Sequence, residues 1–325
     1  MNTINKIIYS LISIFFALPV FATTPELPEL HANINAVSVS GLSSGGAMAV
    51  QYGVAFSKQV MGVGVFAGVP YYCAQNNLSI ALTTCMSGKP NSVSLENITK
   101  AAEINGYIDS TSNLNKQHVW LYSGTKDQTV KQTVMNSTYN YYTFFMPKKN
   151  IDYVDNIPSG HAFITDNFGN SCGQTKSPFI NNCDYDSAGK LLSWIYGPLN
   201  PKAGKLTGQL RVFSQTPFIS NDAGMAQTGF LYIPKSCVNA KCKLHVVFHG
   251  CKQNESTLGD TIPTKTQYDA WADTNNIIIL YPQTSNQSTN PNGCWDWWGY
   301  TGTHYAYKDG LQMSAINKMI KRLTL

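Results

Sequence analysis

The sequence Gly-Leu-Ser-Ser-Gly at residues 41–45 is the stretch that decides the fold. Residues 34–40 before it alternate apolar and polar side chains as in a β-strand, and residues 46–52 after it are compatible with a helix. A G-x-S-x-G motif between a strand and a helix is the context of a nucleophile elbow. Its glycines matter because a Cβ atom would crowd the backbone at so sharp a turn. The motif predicts Ser43 as a nucleophile; a Ser/Gly-rich surface loop is the alternative interpretation.

Strand-like and helix-like runs alternate along the rest of the chain, which predicts an α/β fold with a doubly wound, mostly parallel sheet. Strands are predicted at residues 60–67, 118–122, 151–154, 229–233, 244–248 and 277–281, and helices at residues 129–145, 191–196, 268–274 and 311–323. Residues 71–116 are predicted to be loop-rich and residues 198–225 irregular. With an apolar fraction of 43%, residues 23–325 are expected to form a single catalytic domain around a large core.

The first 22 residues have the pattern of a secretory signal peptide. Lys6 supplies the positive charge, residues 7–18 the apolar region, and residues 20–22 (Val-Phe-Ala) the cleavage site. An uncleaved membrane anchor is the alternative, but the apolar run is short for a span. The pattern predicts a protein secreted to the periplasm or the extracellular space, without stable membrane insertion after cleavage.

Charge and cysteine usage limit the partners. The net charge of +5 is spread along the chain without a basic cluster, so nucleic acid is not expected as a partner. Eight cysteines in an exported chain indicate disulfides. No C-x-x-C motif occurs, and the cysteines have no neighbouring histidines at the spacing of metal ligands, so neither a metal nor another cofactor is expected. Eight cysteines permit 105 pairings, and proximity favours Cys73–Cys85, Cys172–Cys183 and Cys237–Cys242, which leaves Cys251–Cys294.

A nucleophilic serine needs a base that takes its proton. His161 lies in a loop just after the strand predicted at residues 151–154, where a hydrolase places its base, and it is the main candidate. His249 and His304 remain alternatives. The other three histidines either precede the first strand or begin strand-like runs, positions typical of structural residues.

The base in turn needs a carboxylate that orients it. Asp127 follows the strand predicted at residues 118–122, at the edge where open α/β sheets build their sites. The chain order Ser43, Asp127, His161 is that of the α/β hydrolases. Asp155 and Asp166 lie close to His161 in sequence and remain rival candidates.

The oxyanion of an acyl-transfer intermediate needs N–H donors, each of which contributes about 3–4 kcal/mol. The first candidate is the backbone N–H of Ser44, the residue after the nucleophile. The second usually lies in a His-Gly turn after a strand that precedes the elbow. Here such a strand and turn occur far downstream, at residues 244–251. We therefore predict a circularly permuted α/β-hydrolase-like fold, with the usual first strands supplied last and the Cys251 N–H as second donor.

Five segments in this order resemble extracellular poly(3-hydroxybutyrate) depolymerases whose catalytic domain is a circularly permuted α/β hydrolase. The matching segments are residues 41–46, 123–127, 160–163, 248–251 and 292–299. The resemblance runs from residue 36 to about residue 310 and includes the single-domain fungal type. It implies the triad Ser43, Asp127 and His161, an oxyanion hole formed by the amides of Ser44 and Cys251, and a crevice for a polyester strand.

The Trp-rich segment at residues 290–300 is a candidate substrate wall. Indole rings can cover the methyl groups of an aliphatic polyester, and an amide such as that of Asn292 can donate to an ester carbonyl. The resemblance favours Trp297 as the substrate-facing ring, whereas a Trp cluster in the core is the alternative. Asp296 is expected to be a structural partner.

The sequence thus predicts a secreted serine esterase that hydrolyses short-chain polyhydroxyalkanoate through an acyl-enzyme and acts as a monomer. One alternative is a secreted carbohydrate esterase, of the feruloyl or acetyl xylan type, on the same scaffold. Another is a surface-binding protein that keeps the fold without the activity.

Overall fold

The computed structural model describes residues 24–325, so the signal peptide predicted at residues 1–22 lies outside the described residues. The strands are β1 (Val37–Leu42), β2 (Val60–Phe66), β3 (His118–Tyr122), β4 (Ile151–Val154), β5 (Phe163–Thr165), β6 (Asn170–Ser171), β7 (Ile180–Asn182), β8 (Gln209–Ser214), β9 (Thr228–Ile233), β10 (Lys243–Phe248) and β11 (Ile277–Tyr281). The helices are α1 (Ser44–Ala55), α2 (Leu78–Leu82), α3 (Thr84–Ser87), α4 (Ser92–Ile104), α5 (Gln132–Thr143), α6 (Ser187–Tyr196), α7 (Glu255–Leu258), α8 (Thr261–Lys265), α9 (Tyr268–Asn275) and α10 (Leu311–Thr324).

An eight-stranded sheet with the order β4-β3-β2-β1-β10-β11-β9-β8 organises the molecule. The first six strands in this order are parallel to one another. Strand β9 runs antiparallel to both of its neighbours, β11 and β8. The predicted α/β fold with a mostly parallel sheet is therefore confirmed. A second, small sheet of order β5-β7-β6 lies in the segment after β4 and was not predicted.

The strand order also shows the circular permutation. The late strand β10 pairs with the first strand β1, and Gly41 lies opposite Phe248. If the chain began at β8, the strands would follow one another almost in sequence across the sheet. The segment before β1 also meets the end of α10, because the N–H groups of His31 and Ala32 donate to the carbonyls of Leu325 (3.1 Å) and Leu323 (2.9 Å). Proximity of this kind is what permutation requires.

Helices cover both faces of the sheet. Successive residues of a strand point to opposite faces. On β2, a side chain at Gly62 would collide with Ile195 of α6, whereas Val63 packs directly on Gly53 of α1. Helices α1 and α6 therefore lie on opposite faces, as in a doubly wound fold. All residues of α1 are buried, so the elbow is anchored in the core.

Two predicted loop regions contain regular structure. Residues 71–116 were predicted to be loop-rich, but they form α2, α3 and α4. Helix α4 buries only Leu95, Thr99 and Ala102, so its polar composition hid the helical pattern. Residues 198–225 were predicted to be irregular, yet they contain the edge strand β8, which has a single buried residue. Residues 209–212 (Gln-Leu-Arg-Val) alternate polar and apolar side chains, but the run is short, and Phe213 is the single buried residue of this edge strand.

All eight cysteines are paired, and the pairs are those that proximity favoured. The bonds join Cys73 to Cys85, Cys172 to Cys183, Cys237 to Cys242 and Cys251 to Cys294. The first three close short local loops, whereas the fourth joins the turn after β10 to the Trp-rich segment.

Candidate active site

Ser43 occupies a strained turn between β1 and α1. Its backbone has φ 58° and ψ −118°, a conformation that residues with a side chain rarely adopt. The turn is held because the Ser43 N–H donates to the Phe66 carbonyl at 2.8 Å. A Cβ atom on Gly45 would overlap the carbonyl oxygens of Phe248 and His249, so only glycine permits α1 to start this close to β10. The predicted elbow geometry is present.

Asp127 and His161 form a buried pair. A carboxylate oxygen, Oδ2 of Asp127, lies 2.7 Å from Nδ1 of His161. The other oxygen, Oδ1, accepts the backbone N–H groups of Thr129 (2.8 Å) and Val130 (2.9 Å). The two side-chain partners are almost inaccessible, with residue exposures of 3% for Asp127 and 6% for His161. With Nδ1–H donating to the carboxylate, Nε2 of His161 is the ring atom that can accept a proton.

Two neighbouring strands bring this pair together. Strands β3 and β4 are parallel and adjacent, so the loops after them leave the same edge of the sheet. The loops are joined because the N–H groups of Thr125 and Lys126 donate to the carbonyls of Ile157 (2.9 Å) and Ser159 (3.0 Å). The His161 N–H donates to Thr175 Oγ1 at 2.9 Å, which fixes the backbone behind the imidazole.

Ser43 and His161 border one cavity of about 620 Å³. The cavity is also bordered by the other predicted site residues, Ser44, Cys251, Asn292 and Trp297, while Asp127 lies behind His161. Among the hydrogen bonds of residues 24–325, none joins Ser43 to His161. Nucleophile–base contacts are often long in ligand-free enzymes and tighten when substrate binds. The structure therefore gathers all the predicted catalytic and substrate-binding residues at one edge of the sheet.

Two backbone N–H groups lie beside the serine without an acceptor in the described chain. Ser44 is the first residue of α1, so its N–H has no partner within the helix. The turn that carries Cys251 leaves β10 next to the end of β1, and the Cys251 N–H likewise donates to no described residue. The Ser44 hydroxyl links the two elements, since Ser44 Oγ lies 3.4 Å from Cys251 Sγ and accepts the Trp295 N–H at 3.3 Å.

The rival histidines have structural surroundings. His249 donates from Nδ1 to the Gly250 carbonyl at 2.7 Å, and its Nε2 accepts the Thr284 N–H at 3.3 Å. Burial lowers the pKa of His249 to about 4, which keeps its ring neutral. His304 lies on the surface with Asp309. Neither of the two borders the cavity.

The rival carboxylates also lie apart from His161. Asp166 accepts hydrogen bonds from Lys202 (2.7 Å) and Gln267 (2.7 Å). Asp155 is exposed, and its side chain makes no hydrogen bond with the described residues. Of the three candidate acids, Asp127 alone contacts the imidazole.

The Trp-rich segment supplies both a core residue and a cavity wall. Trp295 is 0% exposed and packs on Phe248, with a centroid separation of 5.1 Å. Trp297 (8% exposed) and Trp298 border the cavity instead. Asp296 is structural, as predicted, because its carboxylate accepts the backbone N–H groups of the next turn. These donors belong to Trp298, Gly299, Tyr300 and Thr301.

Another part of the cavity lining was not predicted from the sequence. It consists of Leu78 and Leu82 on α2 and Met86 on α3, and both leucines are exposed. The two leucines stand four residues apart and thus share a helix face, a spacing that would have been the only signal. Within residues 24–325, no group of three or more His, Cys, Asp or Glu side chains is arranged to hold a metal ion. Nor does any helix in that range have the length and apolar character to cross a bilayer.

Comparisons with known proteins agree with this geometry. Residues 228–322 match the family described as Esterase PHB depolymerase. A poly(3-hydroxybutyrate) depolymerase of Delftia acidovorans is 45% identical over 92% of this chain, which spans 62% of that relative's length. A polyhydroxybutyrate depolymerase of Talaromyces funiculosus is 41% identical, with 91% of this chain and 92% of the relative covered.

Solved structures give the same result. The crystal structure of PHB depolymerase from Penicillium funiculosum superposes with a TM-score of 0.87 at 41% identity, covering 92% of this chain and 98% of that one. A PHB depolymerase with one serine replaced by alanine, complexed with R3HB trimer, matches with the same TM-score, identity and coverage.

Proposed function

The chain belongs to the poly(3-hydroxybutyrate) depolymerase family, and we propose that it is a serine esterase that hydrolyses poly(3-hydroxybutyrate) and related short-chain polyhydroxyalkanoates. The observation that carries the proposal is the Asp127–His161 pair, whose imidazole borders the same cavity as the strained serine of the elbow. Relatives of 41–45% identity that bear the name of this activity support the substrate class.

The reaction proceeds through an acyl-enzyme. Ser43 Oγ attacks the ester carbonyl while Nε2 of His161 takes its proton. Asp127 holds the imidazole through Nδ1 and stabilises its protonated form. The N–H groups of Ser44 and Cys251 donate to the oxyanion of the tetrahedral intermediate. His161 then protonates the leaving hydroxyl, and a water activated by His161 releases the hydroxyacid or oligomer.

The cavity suits an uncharged, aliphatic chain. Its lining includes indole rings together with leucine and methionine side chains. Such surfaces bury methyl and methylene groups, while a few polar groups orient the ester. We assign Trp297 to contact with the polymer methyl groups and the Asn292 amide to donation toward an ester carbonyl. Both residues border the cavity.

The setting of the enzyme follows from the sequence and the cysteines. We propose that residues 1–22 are removed on export to the periplasm or the extracellular space and that residues 23–325 act as one catalytic domain. Four disulfides and no free cysteine among the described residues fit an oxidising compartment. The active form is a monomer that takes polyester or oligoester as its partner.

A fluorophosphonate probe tests the nucleophile, since such probes label a serine only when a catalytic base activates it. Wild type should be labelled and Ser43→Ala should not, while circular dichroism shows that both are folded. Absence of labelling in wild type would mean a non-catalytic binder. Labelled protein that releases acyl groups from acetylated or feruloylated xylan, but leaves a polyhydroxybutyrate suspension intact, would establish the carbohydrate esterase instead.

A further inference from the structure

One charged side chain borders a cavity that otherwise carries no fixed charge. Among all the residues that line the cavity in the described chain, Lys252 is the single Lys, Arg, Asp or Glu. It directly follows Cys251, whose N–H is the proposed second oxyanion donor. Lys252 also makes none of the ion pairs found among residues 24–325. A positive charge without an ion-pair partner in the described chain thus lies at an otherwise neutral binding site.

The backbone holds this lysine in a defined place. Its φ of 61° is in the left-handed region, which a lysine adopts only when its surroundings require it. The Lys252 N–H donates to the Asn292 carbonyl at 2.7 Å, and the neighbouring Cys251 is bonded to Cys294. The turn is therefore tied to the Trp-rich wall at two points. Because the side chain is exposed, its aliphatic stem can extend the wall while the ammonium stays in water at the cavity mouth.

The chemistry of the substrate says what this ammonium can bind. The interior of a polyhydroxyalkanoate chain is uncharged, and its single ionised group is the carboxylate at one end. When an ester is cleaved, the acyl half stays on Ser43 and keeps a hydroxyl at its far end. The alcohol half leaves and carries the terminal carboxylate. An ammonium at the mouth can therefore recognise only the end of the leaving half.

We propose that Lys252 binds the terminal carboxylate of short oligoesters and so makes the enzyme favour soluble oligomers with a free acid end over neutral esters of the same length. This inference rests on the proposed function, because it concerns the leaving-group side of the same site. A charge pair at a solvated mouth contributes modestly, so the expected preference is about two- to fivefold. It should decrease at about 0.5 M salt, where exposed charges are screened within a few ångströms.

The test compares the 3-hydroxybutyrate trimer as its free acid and as its methyl ester. Wild type should hydrolyse the acid with the higher kcat/KM, through a lower KM. Lys252→Gln should lose this preference, so that the acid-to-ester ratio of kcat/KM falls toward one, whereas Lys252→Arg should keep it. Lys58→Gln is the matched control for net charge, because Lys58 is exposed and precedes β2, at the opposite edge of the sheet.

Two outcomes would overturn the proposal: an acid-to-ester ratio equal in wild type and Lys252→Gln, or a loss by Lys252→Gln on both substrates alike, which would indicate a structural role. Binding of the two trimers to Ser43→Ala, with and without Lys252→Gln, gives the same comparison without turnover. If neither trimer is hydrolysed by wild type, the proposed function fails, and the binding ratio still decides the role of Lys252.

Discussion

Replacing Asp127 by asparagine should abolish most of the activity without unfolding the protein. Asp127 Oδ1 accepts two backbone N–H groups, and an asparagine Oδ1 can accept the same two. That orientation turns the asparagine NH2 toward Nδ1 of His161. A donor there requires Nδ1 to accept, so the ring proton moves to Nε2. An imidazole in this tautomer cannot take the proton of Ser43.

The size of the effect follows from this change of tautomer. Aspartate-to-asparagine substitution in a serine hydrolase triad lowers kcat by about 10⁴, which corresponds to roughly 5 kcal/mol of activation free energy. Because the bonds to Thr129 and Val130 are kept and the asparagine still pairs with the ring, stability should change by no more than about 1 kcal/mol.

Kinetics on a soluble p-nitrophenyl ester and thermal unfolding measure both quantities. Asp155→Asn is the matched control, since Asp155 is exposed and its side chain has no contact with His161. It should retain full activity. An Asp127→Asn enzyme with more than a tenth of the wild-type kcat, or an Asp155→Asn enzyme as impaired as Asp127→Asn, would refute the reasoning.

Two further predictions concern stability. Replacing Cys251 and Cys294 by serine opens a loop of sequence separation 43, and the gain in entropy of the unfolded chain should lower the free energy of unfolding by about 4 kcal/mol. The same replacement of Cys237 and Cys242, whose separation is 5, should lower it by about 2 kcal/mol. Only the first pair should also lower kcat, so equal kcat losses in both variants would contradict the placement of the second oxyanion donor. Burial, aided by the nearby Asp273 carboxylate, raises the pKa of Asp269 from 3.8 to about 8. Because the folded state favours the protonated acid, the stability that Asp269 contributes is complete below pH 3.8 and is lost as the pH rises toward 8. Asp269→Asn should flatten the fall of Tm across this range, and an unchanged slope would show that Asp269 is not its source.

The parts of the site that sequence could predict are those that local chemistry dictates. The elbow needs glycines at set positions around Ser43, and those positions can be read directly. Asp127 and His161 follow strands, and parallel strands end at one edge, so their meeting follows from topology. The His-Gly turn before Cys251 was informative because it lay in the wrong half of the chain, which indicated permutation.

The parts that escaped prediction depend on tertiary packing. Helix α2 has five residues and buries one of them, so no periodicity marks Leu78 and Leu82 as a wall. Strand β8 forms at the edge beside β9, and the polar/apolar alternation at residues 209–212 is too short to predict a strand by itself. The left-handed backbone of Lys252 results from its bond to Asn292 and the adjacent disulfide, which are contacts over a long sequence distance.

The permuted order of the strands also determines when the enzyme can become active. The serine lies after β1, the first strand to be synthesised, and Cys251, the proposed second oxyanion donor, follows β10, although β1 and β10 are hydrogen-bonded neighbours. A nascent chain that has not yet produced β10 lacks this donor, whose absence alone slows such reactions by roughly a hundred- to a thousandfold. Until then, one side of β1 is an unpaired strand edge, which attracts other chains. A chain that ends before β10 therefore lacks the proposed donor and keeps this strand edge exposed, so it should hydrolyse esters far more slowly and tend to aggregate.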